Sequence, residues 1–138
     1  MRNSRTQTAA ALAACALLVG ADAAAAEERR AVAGVQRGEA SYYAPSLHSR
    51  RMANGERFDR ESNSAAHRTL PLGTRARVTN LETGRTEIVE IEDRGPHARG
   101  RIIDVSPRTA ERLGMREEGT ARVEVQPLEV PRREERRR

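Results

Sequence analysis

Two stretches of the chain, Arg75-Ala76-Arg77-Val78-Thr79 and Ala121-Arg122-Val123-Glu124-Val125, alternate polar and apolar residues at every step. Period two is the repeat of a β-strand, so each stretch reads as a strand with one face buried and the other wet. Strands of this kind need an apolar partner surface, and a short chain supplies one most directly by closing the sheet on itself. The whole chain has 138 residues, which allows one small domain and little else. Tyr42, Tyr43 and Phe58 are its only aromatics, so Val, Ile, Leu and Ala must build the core. That composition suits a compact barrel better than a pocket for a large ligand.

The remaining elements follow from local signals. A strand begins at Gly38 and runs through Glu39-Ala40-Ser41-Tyr42-Tyr43 until Pro45 ends it. Residues 46–64 are polar and turn-rich, with Asn54-Gly55 as the clearest turn. Ala65-Ala66-His67 and the turn Leu70-Pro71-Leu72-Gly73 lead into the strand at 75–79. A hairpin loop over Asn80–Gly84 returns the chain along Arg85–Ile91, and Asp93-Arg94-Gly95-Pro96 breaks that strand. Arg101-Ile102-Ile103-Asp104-Val105 is a short buried strand. Ser106 as N-cap, Pro107 in the first turn and Gly114 as the stop define one helix, with Ala110 and Leu113 facing the core. Pattern alone therefore predicts a mainly β fold of five strands and one short helix.

The ends of the chain carry different signals. Residues 1–26 read as an export signal peptide: Arg2 and Arg5, an apolar run from Ala9 to Gly20, and Ala24-Ala25-Ala26 before Glu27. The run is too short to span a ~30 Å hydrocarbon core, so no membrane span is expected. Cleavage near Ala26 and a periplasmic location are the preferred reading. The alternative is an outer-membrane lipoprotein with a lipid anchor at Cys15, because Leu12-Ala13-Ala14-Cys15 has the form of a lipobox. Residues 27–37 read as a linker, 38–127 as the domain and 128–138 as a disordered Arg-rich tail.

Charge excludes one class of partner. Of the net +5, the leader carries +1 and residues 131–138 carry +3, leaving +1 for residues 27–130. A nucleic-acid partner demands a concentrated basic face, and the domain has none. One Cys rules out an intrachain disulfide and a cysteine-based zinc site. His48, His67 and His97 are scattered without a ligand spacing, so no metal and no cofactor are expected. The domain is expected to be a monomer.

Six strings in order make the chain specific: Gly38-Glu39-Ala40-Ser41-Tyr42-Tyr43, Ala53-Asn54-Gly55-Glu56, Ala65-Ala66-His67 through Thr74, Val78-Thr79-Asn80-Leu81, Asp93-Arg94-Gly95-Pro96, and Gly100-Arg101 through Ser106. Together they resemble the RlpA (rare lipoprotein A) family of peptidoglycan lytic transglycosylases. The resemblance implies a six-stranded double-psi β-barrel with a polar groove. It also implies non-hydrolytic cleavage between N-acetylmuramic acid and N-acetylglucosamine, leaving 1,6-anhydro ends. Carried onto this sequence, the groove positions are Glu56, His67, Asp93 and Asp104, with Tyr42, Tyr43 and Arg94 expected to hold the glycan. Two departures stand out: the usual Trp-Tyr-Gly is Tyr42-Tyr43-Ala44 here, and the residue before Asp93, often Asn in the family, is Glu92. Many relatives continue into a glycan-binding module, whereas this sequence runs into its Arg-rich tail.

The chemistry asks for a carboxyl that gives a proton to the leaving oxygen and takes one back, because the sugar's own 6-hydroxyl is the nucleophile. Asp104, between the apolar Ile103 and Val105, is the first candidate for that acid, on the expectation that its neighbours desolvate it. Asp93, beside Arg94, is second and suits electrostatic support. Structural roles compete with each assignment. Asp93 is also a turn cap, Asp104 a partner for Arg101 or a helix cap, Glu56 a solvated loop charge, and His67 a core histidine bonded to backbone. The competing functions are a non-catalytic, expansin-like polysaccharide-binding barrel and an anionic-polymer binder led by the tail.

Overall fold

The computed structural model describes residues 34–131. The leader with Cys15, the linker as far as residue 33 and the tail from residue 132 lie outside the described residues. Six strands form a closed barrel: β1 (Gln36–Tyr42), β2 (Ser64–His67), β3 (Arg75–Asn80), β4 (Thr86–Asp93), β5 (Arg101–Val105) and β6 (Thr120–Glu129). One helix, α1 (Pro107–Leu113), precedes β6, and a 3-10 turn occupies Pro45–Leu47. The order around the barrel is β1-β5-β2-β4-β3-β6, with β6 returning to β1. The β1/β5 and β2/β4 pairs are parallel and the others antiparallel. This is the mainly β, six-stranded barrel with one short helix that the resemblance implied.

Period two places the core. Val78, Val89, Ile91, Ile103, Val105, Val123 and Val125 fill the interior together with Ala40, Ala65, Ala76 and Ala121. Small residues sit opposite larger ones: Ala76 pairs with Val89, and Ala40 with Ile103. A barrel this narrow has no room for branched side chains on every strand. Leu113 and Ala110 of α1 complete the same cluster. The helix starts and stops as its sequence predicts. Ser106 Oγ accepts the Thr109 N–H, and Gly114 adopts a left-handed φ of 73° that a residue with a Cβ takes only under strain.

Pattern alone missed one strand, and two strands reach past residues 38–127. β2 is four residues long and buried throughout, so it has no alternation to detect. β1 begins two residues before Gly38, and β6 runs two residues past 127 to Glu129. The reason is ladder pairing: Gln36 and Arg37 pair with Val125 and Glu124, and Glu129 pairs with Arg75. Among the described residues no helix is long and apolar enough to cross a membrane.

Candidate active site

Two slips in strand register build the site. Between β2 and β4, Ala65 pairs with Ile91 but Ala66 pairs with Asp93, leaving Glu92 as the extra residue. Simple alternation would turn Asp93 inward with Ile91. The slip turns it outward, so Glu92 and Asp93 are both presented outside the barrel. Between β1 and β5, Glu39 pairs with Arg101 and Ala40 with Ile103, so Ile102 is extra. That slip brings Arg101 to the outer face, within reach of Asp104.

The outcome is a row across the barrel exterior: Thr120, Ser41, Asp104, Ala66 and Asp93, each paired with the next. Directly paired residues point to the same face, so both aspartates look outward across two strand spacings, about 10 Å. Tyr43 lies between them. Its hydroxyl donates to Asp93 Oδ2 at 2.7 Å, and its ring packs on Phe58 with centroids 4.4 Å apart. Burial first, then the Asp93 hydrogen bond and the charges of Asp93 and Asp104, push the phenol far above its ordinary value. Tyr43 is therefore a proton-bearing donor. Asp93 Oδ1 accepts two further bonds, from the N–H groups of Ala53 and Arg94, each at 2.9 Å. The carboxylate is fixed by three donors.

Asp104 sits differently from the expectation. Ile103 and Val105 point into the barrel core, so they do not surround the Asp104 carboxyl. Instead its Oδ1 accepts from Arg101 Nη2 at 3.0 Å and from Ser41 Oγ, and Arg101 also donates to Ser41. The pairing with Arg101 is the structural role that the sequence left open. Tyr42 has its own surroundings. It packs against the core cluster, and its hydroxyl donates to the Arg116 carbonyl at 3.0 Å.

A cleft of about 680 Å³ opens beside Asp93, lined by Asn54, Glu56, Thr69, Leu72, Glu90, Glu92 and Arg94 among others. Its near wall is the tip of a short hairpin over residues 50–58. There Phe58 N–H bonds Arg50 O, Met52 N–H bonds Glu56 O, and the turn passes through Gly55 at φ 90°. Met52 and Phe58 are buried beneath the hairpin, and the Asn54 N–H donates to the Glu92 carbonyl at 3.1 Å. This is how a turn-rich stretch carries Glu56 to the edge of β4. Arg94 is pinned through Nη1 to the carbonyls of Leu70 at 2.7 Å and His67 at 3.1 Å. Among the described residues it forms no salt bridge, so its charge faces the cleft without a carboxylate partner.

His67 is buried at 3% exposure, and its ring is used up locally. Nδ1 accepts the N–H groups of Thr69 and Leu70, and Nε2 faces Gln36 Oε1 at 2.8 Å. Two incoming donors on Nδ1 assign the ring proton to Nε2. Burial, helped by the charges of Arg94 and Arg68, lowers its pKa below the ordinary value. The structure thus joins Glu56 and Arg94 in the cleft, and Asp93, Tyr43 and Asp104 in the adjoining row. His67 stays behind the wall and supports Arg94 through its carbonyl. Glu92, which sequence reasoning noted only as a departure, lines the cleft itself.

Residues 35–125 match a family model described as "Lytic transglycolase". The chain is 49% identical over 89 residues to the "Probable endolytic peptidoglycan transglycosylase RlpA" of Synechocystis sp., covering 64% of this chain and 28% of that protein. It is 44% identical over 93 residues to the "Endolytic peptidoglycan transglycosylase RlpA" of Neisseria meningitidis, covering 67% and 39%. The match to the Treponema pallidum "Probable endolytic peptidoglycan transglycosylase RlpA" is 52% over 91 residues, covering 66% and 29%. The chain thus spans between a quarter and two-fifths of the length of these relatives. In fold it is similar to the Streptomyces papain inhibitor, with TM-score 0.55, 22% identity, and coverage of 69% of this chain and 94% of that one. It is also similar to an expansin of Clavibacter michiganensis, with TM-score 0.54, 18% identity, and coverage of 71% and 52%.

Proposed function

We propose, from the premise that this chain belongs to the lytic transglycosylase family whose model it matches, that it cleaves peptidoglycan glycan strands without water. The bond from C1 of N-acetylmuramic acid to O4 of N-acetylglucosamine breaks, and O4 takes a proton from a carboxyl of the cleft. The 6-hydroxyl of the same muramic acid bonds to C1, and its proton returns to that carboxylate. The products are a free 4-hydroxyl and a 1,6-anhydro end. One carboxyl serves as acid and then base, so no water-holding partner is required.

The observation that carries this reading is the junction of two unlike environments. Asp93 is an acceptor held rigid by Tyr43, Ala53 and Arg94, and it adjoins a cleft lined by Glu56 and Arg94. A preorganised anion suits an oxocarbenium-like centre, since it needs no reorganisation as positive charge develops. Glu56 supplies the proton, and Arg94 binds polar groups of the glycan. Asp104, tied to Arg101 and Ser41, supports the row rather than the proton transfer.

Export through the leader at residues 1–26, action in the periplasm and a monomeric state belong to the same reading. The test is release of 1,6-anhydro muropeptides from isolated sacculi, read by mass spectrometry. Reducing ends without anhydro products mean a hydrolase. Retention on sacculi without any products means a binding barrel of the expansin kind.

A further inference from the structure

We infer that Glu92 stores the proton of the cleft, sharing it with Glu56 across the tip of the 50–58 hairpin and acting through Glu56 as a positioning residue. The inference rests on the transglycosylase reading for its consequence and on local geometry for its cause. A single side-chain amide spans both carboxyls: Asn54 Nδ2 donates to Glu92 Oε2 at 3.0 Å and lies 3.4 Å from Glu56 Oε2. Ser64 Oγ donates to the other oxygen of Glu92 at 3.1 Å. The Asn54 N–H also holds the Glu92 carbonyl, so hairpin tip and strand edge are fixed to one another. Both carboxyls line the same cleft.

Glu92 is half-buried, and it is the extra residue at the register slip between β2 and β4. One amide holding two carboxyls keeps their charges near one another, and the repulsion favours a proton on Glu92. The surrounding groups set the balance. On β4, Glu90 adds a further negative charge. From β2 comes Ser64, from the hairpin Asn54 and Glu56, and after β4 comes Arg94. Arg75 of β3 pairs in register with Glu90, but its guanidinium is turned to Glu129 at 3.8 Å. Burial first, then the hydrogen bond with Glu56 and the charge of Glu90, raise the Glu92 pKa above the ordinary value, and this outweighs the donors Ser64 and Asn54.

The reaction then draws on a shared proton. Glu56 passes one to the leaving O4 as Glu92 replenishes it, and the 6-hydroxyl proton restores the pair. Proton count is conserved over the cycle, and no other reactant is needed.

Two measurements on the full chain test this. First, the rate of anhydro-end release from sacculi is followed from about pH 5 to about pH 9 for the parent, Glu92→Gln and Glu56→Gln. Glu92→Gln should move the alkaline limb down by about one pH unit. An unmoved limb in a folded variant overturns the inference. Second, carbon-13 NMR follows the glutamate carboxyl carbons during a pH titration of the parent chain. Glu92 should titrate above ordinary glutamates, and Glu56→Gln should lower its midpoint. A Glu92 that titrates alone in the ordinary glutamate range overturns the inference even in an active enzyme. Coupled titration in a chain that releases no anhydro ends sinks the transglycosylase reading and leaves the proton pair standing.

Discussion

Asp93 and Asp104 pair with the same residue, Ala66, from opposite sides: Asp93 through β4 and Asp104 through β5. Two carboxylates 11 positions apart in sequence thereby share one outward row, with the smallest chiral side chain between them. Their roles diverge because their partners differ. Asp93 meets Tyr43 and two backbone N–H groups, whereas Asp104 meets Arg101 and Ser41.

Asp93→Asn should lower anhydro-end release by about a hundredfold, the scale for losing one preorganised charge at a reacting centre. Tyr43→Phe keeps the ring on Phe58 and removes only the hydroxyl, so a loss of about tenfold is expected with little change in melting temperature. Full activity in both variants would remove Asp93 from the chemistry.

Asp104→Asn should act on stability more than on rate. It breaks a partly buried pair with Arg101, at a cost of about 1–2 kcal/mol in urea unfolding. Ser41→Ala touches the same cluster, so the double variant should lose less than the sum of the two singles. If Asp104→Asn abolished product in a protein as stable as the parent, Asp104 rather than Glu56 would be the acid.

The helix ends offer a control remote from the cleft. Ser106 Oγ caps the Thr109 N–H and also donates to the Ser62 carbonyl, so Ser106→Ala should cost about 1–2 kcal/mol. Gly114→Ala places a Cβ at φ 73° and should cost about 1 kcal/mol. The sites lie at opposite ends of α1, so the losses should add in a denaturant titration, and activity should follow only the folded fraction.

His67 makes stability depend on pH. Its native pKa lies below the unfolded value, so the unfolded chain binds more protons once pH falls beneath about 6.5. Its contribution is therefore full above that pH and declines as acid is added, because a proton on Nδ1 displaces the Thr69 and Leu70 N–H groups. Glu92, raised in the native state, works in the opposite sense: its contribution is full below the ordinary glutamate pKa and is lost as pH rises through its native value. The difference between parent and His67→Asn isolates the histidine. Denaturant midpoints should drop less steeply below about pH 6.5 in His67→Asn, and parallel curves would refute the assignment.

Most of the barrel was legible in the chain. β3, β5 and β6 announce themselves by alternation or a short apolar run, and α1 by Ser106, Pro107 and Gly114. β2 was not legible, since Ser64-Ala65-Ala66-His67 is buried on both faces and looks like neither a half-wet strand nor a loop. For the cleft, the run Glu90-Ile91-Glu92-Asp93 held an unused clue. Two successive acids at the end of an alternating strand cannot both face water unless the register slips. Ile103 and Val105, expected to surround Asp104, turn into the core on the same principle read the other way, because the neighbours of an outward residue in a strand point inward.

What the amino-acid order determined by itself is local: periods, turns, caps, and the motif strings that mark the family. Those signals depend on residues within a turn or a few strand positions of one another, where side-chain sterics and backbone hydrogen bonding act directly. Barrel closure decided the rest. It set Ala66 between two aspartates, swung Arg101 to Asp104, and brought the hairpin tip with Glu56 onto Glu92. The register between strands distant in sequence is chosen by how the whole core packs and how every ladder group finds a partner, and no local period encodes that choice.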